Sequence, residues 1–155
     1  MSQRTIVTAL GLFALAITSI GVAQEKKISR QDLPAAVEKT VAEQANGATI
    51  RGFSTEMEKG KRLYEAELTV NGHSKDISMD ANGKIVEIEE EVSMDSLPAN
   101  VKQSLTQSAG AGKITKVESL TKDGKLVAYE AVVKTGTKRS EIQVGPDGKE
   151  LAHPE

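Results

Sequence analysis

The clearest alternation in the chain runs through Leu63 to Val70. Tyr64, Ala66, Leu68 and Val70 share one parity and Glu65, Glu67 and Thr69 the other, which predicts a strand with one buried and one wet face. Ahead of it, Leu33, Val37 and Val41 recur at steps of four, with Glu38, Lys39, Glu43 and Gln44 between them, which predicts an amphipathic helix. Asp32 stands where a cap would, Pro34 suits a first turn in which its missing N–H is no loss, and Asn46-Gly47 supplies the stop. From Thr49 to Glu58 the pattern is β-like but irregular. Ile50 and Phe53 differ in parity around Gly52, so a bulge is expected there. Asn71-Gly72 provides the positive-φ pair of a tight hairpin and leads into a strand through Ile77 and Met79. Asp80-Ala81-Asn82-Gly83 then turns the chain into Ile85 to Val92, where Val86, Ile88 and Val92 oppose Glu87, Glu89 and Glu91. The first half reads as a helix followed by four antiparallel strands in a meander.

The second half repeats the first. Leu97-Pro98-Ala99-Asn100-Val101 follows Leu33-Pro34-Ala35-Ala36-Val37 at an offset of 64, which also relates Val41 to Leu105, Ile50 to Ile114 and Gly60 to Gly124. After one inserted residue the offset is 65, relating Tyr64-Glu65-Ala66 to Tyr129-Glu130-Ala131 and Ile77 to Ile142. Helix starts, tyrosines and turn glycines in the same order imply an internal duplication. The expected fold class is α+β, two tandem units over residues 31–92 and 93–155, each one helix on an antiparallel meander. The last strand of the second unit shortens to Glu150–Ala152 before His153-Pro154.

A Leu-Pro-x-x-Val helix start, the Tyr64-Glu65-Ala66 strand and the closing Asp80-Ala81-Asn82-Gly83-Lys84 turn resemble the PepSY-like repeat of exported bacterial proteins. The resemblance covers residues 29–152. It implies helices packed on antiparallel sheet, a plan similar to the tandem units of the β-lactamase inhibitor protein, and a non-catalytic role, with protease inhibition or protein binding as the family's suggested functions. The second closing turn departs from the pattern, with Gly145-Pro146-Asp147-Gly148 in place of Asp80 to Gly83.

Composition narrows the function further. Arg4, an apolar run from Ile6 to Ile20, and small Gly21 and Ala23 before polar Gln24 predict a cleavable signal peptide over residues 1–23, followed by a flexible lead-in over 24–30. The run is shorter than the roughly 20 residues a spanning helix needs, so a periplasmic or extracellular product without a membrane anchor is expected. There is no cysteine, hence no disulfide, thiolate metal site or thiol nucleophile. The net charge of −2 is no footprint for nucleic acid, and four aromatic residues leave little for stacking platforms.

Candidate chemistry is sparse. Ser78, Asp80, Asn82 and Glu89, with Gly83 between, have the oxygen spacing of a calcium loop, though Ser78 replaces the usual first aspartate and the flanks read as strands. A plain hairpin turn is the alternative. The two histidines, His73 and His153, have no partner at fixed spacing, so no catalytic residue and no cofactor are expected. Glu87, Glu89, Glu90, Glu91 and Asp95 form an acidic run that guards an edge or attracts a basic partner. Tyr64 and Tyr129 read as core. One helix per unit covers one sheet face, so the opposite face meets water or another protein. There Glu65, Glu67, Thr69, Glu130, Val132 and Lys134 are the expected contacts for an unidentified protein or peptide, on one extended concave surface if the sheets lie side by side. The sequence thus points to an exported, non-catalytic protein-binding module, an inhibitor or modulator of an envelope or extracellular protease. The alternative is a calcium-responsive or structural envelope protein.

Overall fold

Among the described residues, one antiparallel sheet of eight strands carries two α-helices. The computed structural model describes residues 25–151 and 153–155, and the expected signal peptide lies outside them. In chain order the elements are β1 (Lys26–Ile28), α1 (Ala35–Gln44), β2 (Thr49–Glu58), β3 (Lys61–Val70), β4 (His73–Met79) and β5 (Ile85–Glu91). There follow α2 (Ala99–Ala109), β6 (Lys113–Lys122), β7 (Lys125–Thr135) and β8 (Lys138–Val144). Every strand pairs antiparallel with the next, so spatial order follows chain order.

Residues 26–28 are not a loose lead-in: they form β1, with Lys27 opposite Ser54 and Ile28 opposite Phe53 on β2. Ile28 reaches the core there, which gives this short strand its anchor. Asp32 does not cap α1 either. Its carboxylate accepts the Ser29 N–H at 2.9 Å and the Ser29 hydroxyl at 2.6 Å, closing a turn of 3-10 helix, and α1 begins after Pro34. The bulge expected around Gly52 lies between Ile50 and Gly52, and Asn71-Gly72 closes its hairpin with both φ values positive, 51° and 87°.

The sheet runs unbroken from the first half of the chain into the second. β5 pairs with β6 from Glu87 opposite Lys122 to Glu91 opposite Glu118, and the Val92 N–H extends the seam to the Val117 carbonyl at 2.9 Å. On one face Val37 and Val41 of α1 are buried against Phe53, Ala66, Leu68, Ile77 and Met79. On the same face Val101 and Leu105 of α2 meet Val117, Ala131 and Val144. The closing turn fixes α1: the Thr40 hydroxyl donates to the Gly83 carbonyl at 2.8 Å, and Ser104 of α2 donates likewise to Gly148 at 2.6 Å.

Candidate functional site: the helix-free face

Strand alternation puts every second side chain on the face that neither helix covers, and the register arranges them in rows. Ser54, Glu65, Ser78, Glu87 and Lys122 stand across β2 to β6. Glu67, Asp76, Glu89, Leu120 and Ala128 follow across β3 to β7. The third row runs Glu91, Glu118, Glu130 and Gln143 across β5 to β8. Leu63, Leu120, Ala128 and Val132 are buried on this face although, among the described residues, no helix lies over it.

Acids outnumber the cations that answer them. Arg51 approaches Asp76 at 2.6 Å and Glu67 at 3.5 Å. Lys116 lies 2.6 Å from Glu118, which is only 5% exposed, and Lys122 is 3.3 Å from Glu87. Among the described residues Glu65 has only the Ser54 hydroxyl at 3.0 Å, and Glu130 only the Gln143 amide at 2.7 Å. Glu89 stands among acids: its carboxylate, with those of Asp76 and Glu118, forms a group of oxygens all within 4.8 Å of one another.

The electrostatics follow from that shortage. Burial, reinforced by Glu87, Glu118 and Glu130, pushes the Glu89 carboxyl up to about 8, and no neighbouring cation or donor pulls it back. Burial likewise pushes Glu65 up to about 7, with the Ser54 hydrogen bond opposing. Burial also raises Asp76, against the pull of Arg51, and Glu130, against the Gln143 hydrogen bond. At the centre of the face Glu65 and Glu89 hold their protons toward neutral pH and would ionise if a cation were brought to them.

The contacts expected from sequence are partly gathered here. Glu65, Glu67, Thr69 and Glu130 are half-buried on this face, and Lys134 is exposed at its margin. Val132 is corrected: it is 7% exposed, packed under its neighbours, and offers no surface contact. The four calcium-loop oxygens do not converge. Asp80 Oδ1 accepts the backbone N–H groups of Asn82 at 2.8 Å and Lys84 at 3.0 Å, while Ser78 stands opposite Glu87 and Glu89 opposite Asp76. His73 lies exposed, its Nδ1 3.6 Å from Glu91, and His153 is exposed. Tyr64 and Tyr129 pack half-buried against the two hydrophobic clusters. Asp76 and Glu118 escaped the sequence reading. Parity alone puts Asp76 on the face of Ser78, but its meeting with Glu89 depends on the β4–β5 register, which shifts beside Ser78.

The family described as "Putative beta-lactamase-inhibitor-like, PepSY-like" matches residues 21–85 and again 62–149. The chain belongs to this PepSY-like family. Its fold is similar to that of a "putative periplasmic" protein from Bacteroides eggerthii, at 17% identity and a TM-score of 0.62, over 77% of this chain and 86% of that one. It is also similar to a BLIP-like protein from Bacteroides fragilis, at 23% identity and a TM-score of 0.54, over 75% and 81% of the two chains. No curated protein matches the PepSY-like chain in sequence. Among its described residues no helix is long and apolar enough to cross a membrane.

Proposed function

We infer that this PepSY-like protein is an exported, non-catalytic binding module, built as two helix-on-meander units that share one sheet and capture a partner protein on the helix-free face. The carrying observation is the Glu89 carboxylate, central on that face beside Asp76 and Glu118 and without a counter-charge. A side chain that costs stability where it stands points to a role in recognition. The partner chemistry that answers it is basic: a Lys- or Arg-bearing loop or extended segment whose cations supply what Glu65, Glu89 and Glu130 lack. Export is supported by the charged and apolar pattern of residues 1–23 and by the likeness in fold to the putative periplasmic protein of Bacteroides eggerthii. An envelope protease presenting such a segment is one partner of this kind, and capture would then modulate it.

The test is calorimetric titration of the protein with an extended Lys/Arg-rich peptide, against an acidic peptide of the same length and against calcium chloride. The inferred function requires binding of the basic peptide that weakens as salt rises and is lost in a folded variant carrying Glu65→Lys, Glu89→Lys and Glu130→Lys. Equal response to both peptides, or to calcium alone, would overturn it.

A further inference from the structure

The two halves treat corresponding strand edges differently. In the first half the outer edge of β4 is filled by β5, which opposes it from Lys75 to Met79. In the second half β8 stands where β4 stood, paired with β7, yet among the described residues its outer edge pairs only at Val144, through a single bridge to Glu150. The slot that β5 occupies in the first half is open in the second from Lys138 to Glu141; at Gln143 the Glu155 N–H donates to the side-chain Oε1 at 2.9 Å.

We propose that the outer edge of β8 pairs with β8 of a second copy, joining two sheets about a two-fold axis at Ser140. The β7–β8 hairpin has Thr135 opposite Lys138 across a two-residue turn, so the closing pair turns its backbone groups inward and Lys138, Ser140 and Ile142 bond to β7. The backbone N–H and C=O groups of Arg139 and Glu141 therefore point outward. An antiparallel partner centred on Ser140 sets Arg139 opposite Glu141 of the second copy, and Glu141 opposite its Arg139. Both backbone pairs are then hydrogen-bonded, and both side-chain pairs are of opposite charge on the helix-free face. In the isolated chain these two residues pair with each other, at 2.8 Å, with Lys134 opposite Arg139 on β7, and both are exposed. Sliding the register by two residues one way sets Glu141 against Glu141. Sliding it further drives the second copy into the Glu150 bridge. A two-fold contact of this kind closes on itself and uses up the edge, and its shortness makes the dimer a weak, concentration-dependent one.

The experiment is sedimentation equilibrium of the purified protein from about 10 μM to about 1 mM, with circular dichroism to confirm that each variant is folded. The wild type should pass from monomer to dimer across that range. Arg139→Glu, which sets like charges opposite each other twice per dimer, should weaken association about tenfold or more. The exchange Arg139→Glu with Glu141→Arg should restore it. A wild type monomeric throughout would show that the charged edge only guards against pairing and would overturn the proposal. So would a folded Arg139→Glu variant that dimerises as well as wild type, or an exchanged variant that stays monomeric.

Discussion

Asp76 on β4 and Glu89 on β5 stand directly opposite each other, and Arg51 pairs with Asp76 at 2.6 Å while, among the described residues, no cation pairs with Glu89. Two like charges in register weaken a sheet. The PepSY-like chain avoids the full repulsion by keeping Glu89 protonated, and the burial of an acid without a donor is what remains to be offset elsewhere. Replacing Glu89 by Gln, which keeps the shape and removes the charge, should therefore stabilise the protein by about 1 kcal/mol, or roughly 2–4 °C in Tm. Differential scanning calorimetry near neutral pH reads this directly, and a lower Tm would show that Glu89 is satisfied in the native state.

Stability should fall from mildly acidic to mildly alkaline pH. Unfolded, Glu65 and Glu89 titrate near 4.5; folded, they hold their protons up to about 7 and about 8. Between those limits the folded chain binds more protons than the unfolded one, so the slope of stability against pH is negative there. Glu38, Asp123 and Asp147, lowered by hydrogen bonds from Arg30, Lys84 and Lys149, act in the opposite sense only at more acidic pH. After allowance for solvent screening, Tm near pH 5 should exceed that near pH 8 by about 3–6 °C, and Glu89→Gln should reduce the difference. A Tm that rises over the same interval would contradict these assignments.

Gly83 should tolerate no side chain. Its φ is +75°, and an added Cβ would run into the Ala36 carbonyl on α1, where the closing turn meets the helix. Gly83→Ala should cost about 2–4 kcal/mol. At Gly72, also at positive φ but facing open space, the same change should cost about 1 kcal/mol. Urea denaturation of both variants separates the steric collision from the backbone strain, and equal losses would mean that α1 yields to the turn.

The seam between β5 and β6 should make the second half dependent on the first. Residues 93–155 alone would expose the edge of β6 that Glu87 to Glu91 now cover, and a chain of about 60 residues without a disulfide is marginal even with its edges paired. Circular dichroism of that fragment should show no cooperative melt, and a transition matching the full chain would refute the coupling.

Much of the architecture was readable from residue order. Alternation along Leu63 to Val70, the Asn71-Gly72 turn and the repeated Leu-Pro helix starts gave strands, hairpins and helices close to where they stand. Lys26–Ile28 was not readable, because three residues carry too little periodicity and β1 owes its place to Phe53 and Ser54 across the ladder. The site was legible by face and not by position. Parity places Glu65, Glu67, Glu130 and Val132 on the helix-free face, but alternation along one strand does not reveal that Val132 is buried there. By sequence alone the acidic run at Glu87 to Glu91 reads as an edge guard or a rim for a partner. Because β5 pairs on both sides, it lies in the middle of the sheet, and Glu89 comes to rest between Asp76 and Leu120.

We infer that Glu89 is kept for binding at the expense of the fold. One pair of measurements on Glu89→Gln decides this: the Tm, and the affinity for a Lys/Arg-rich extended peptide above about pH 8, where the wild-type carboxylate is ionised. A higher Tm is expected together with a peptide Kd weaker by about tenfold; an unchanged Kd in the folded, stabilised variant would refute the inference.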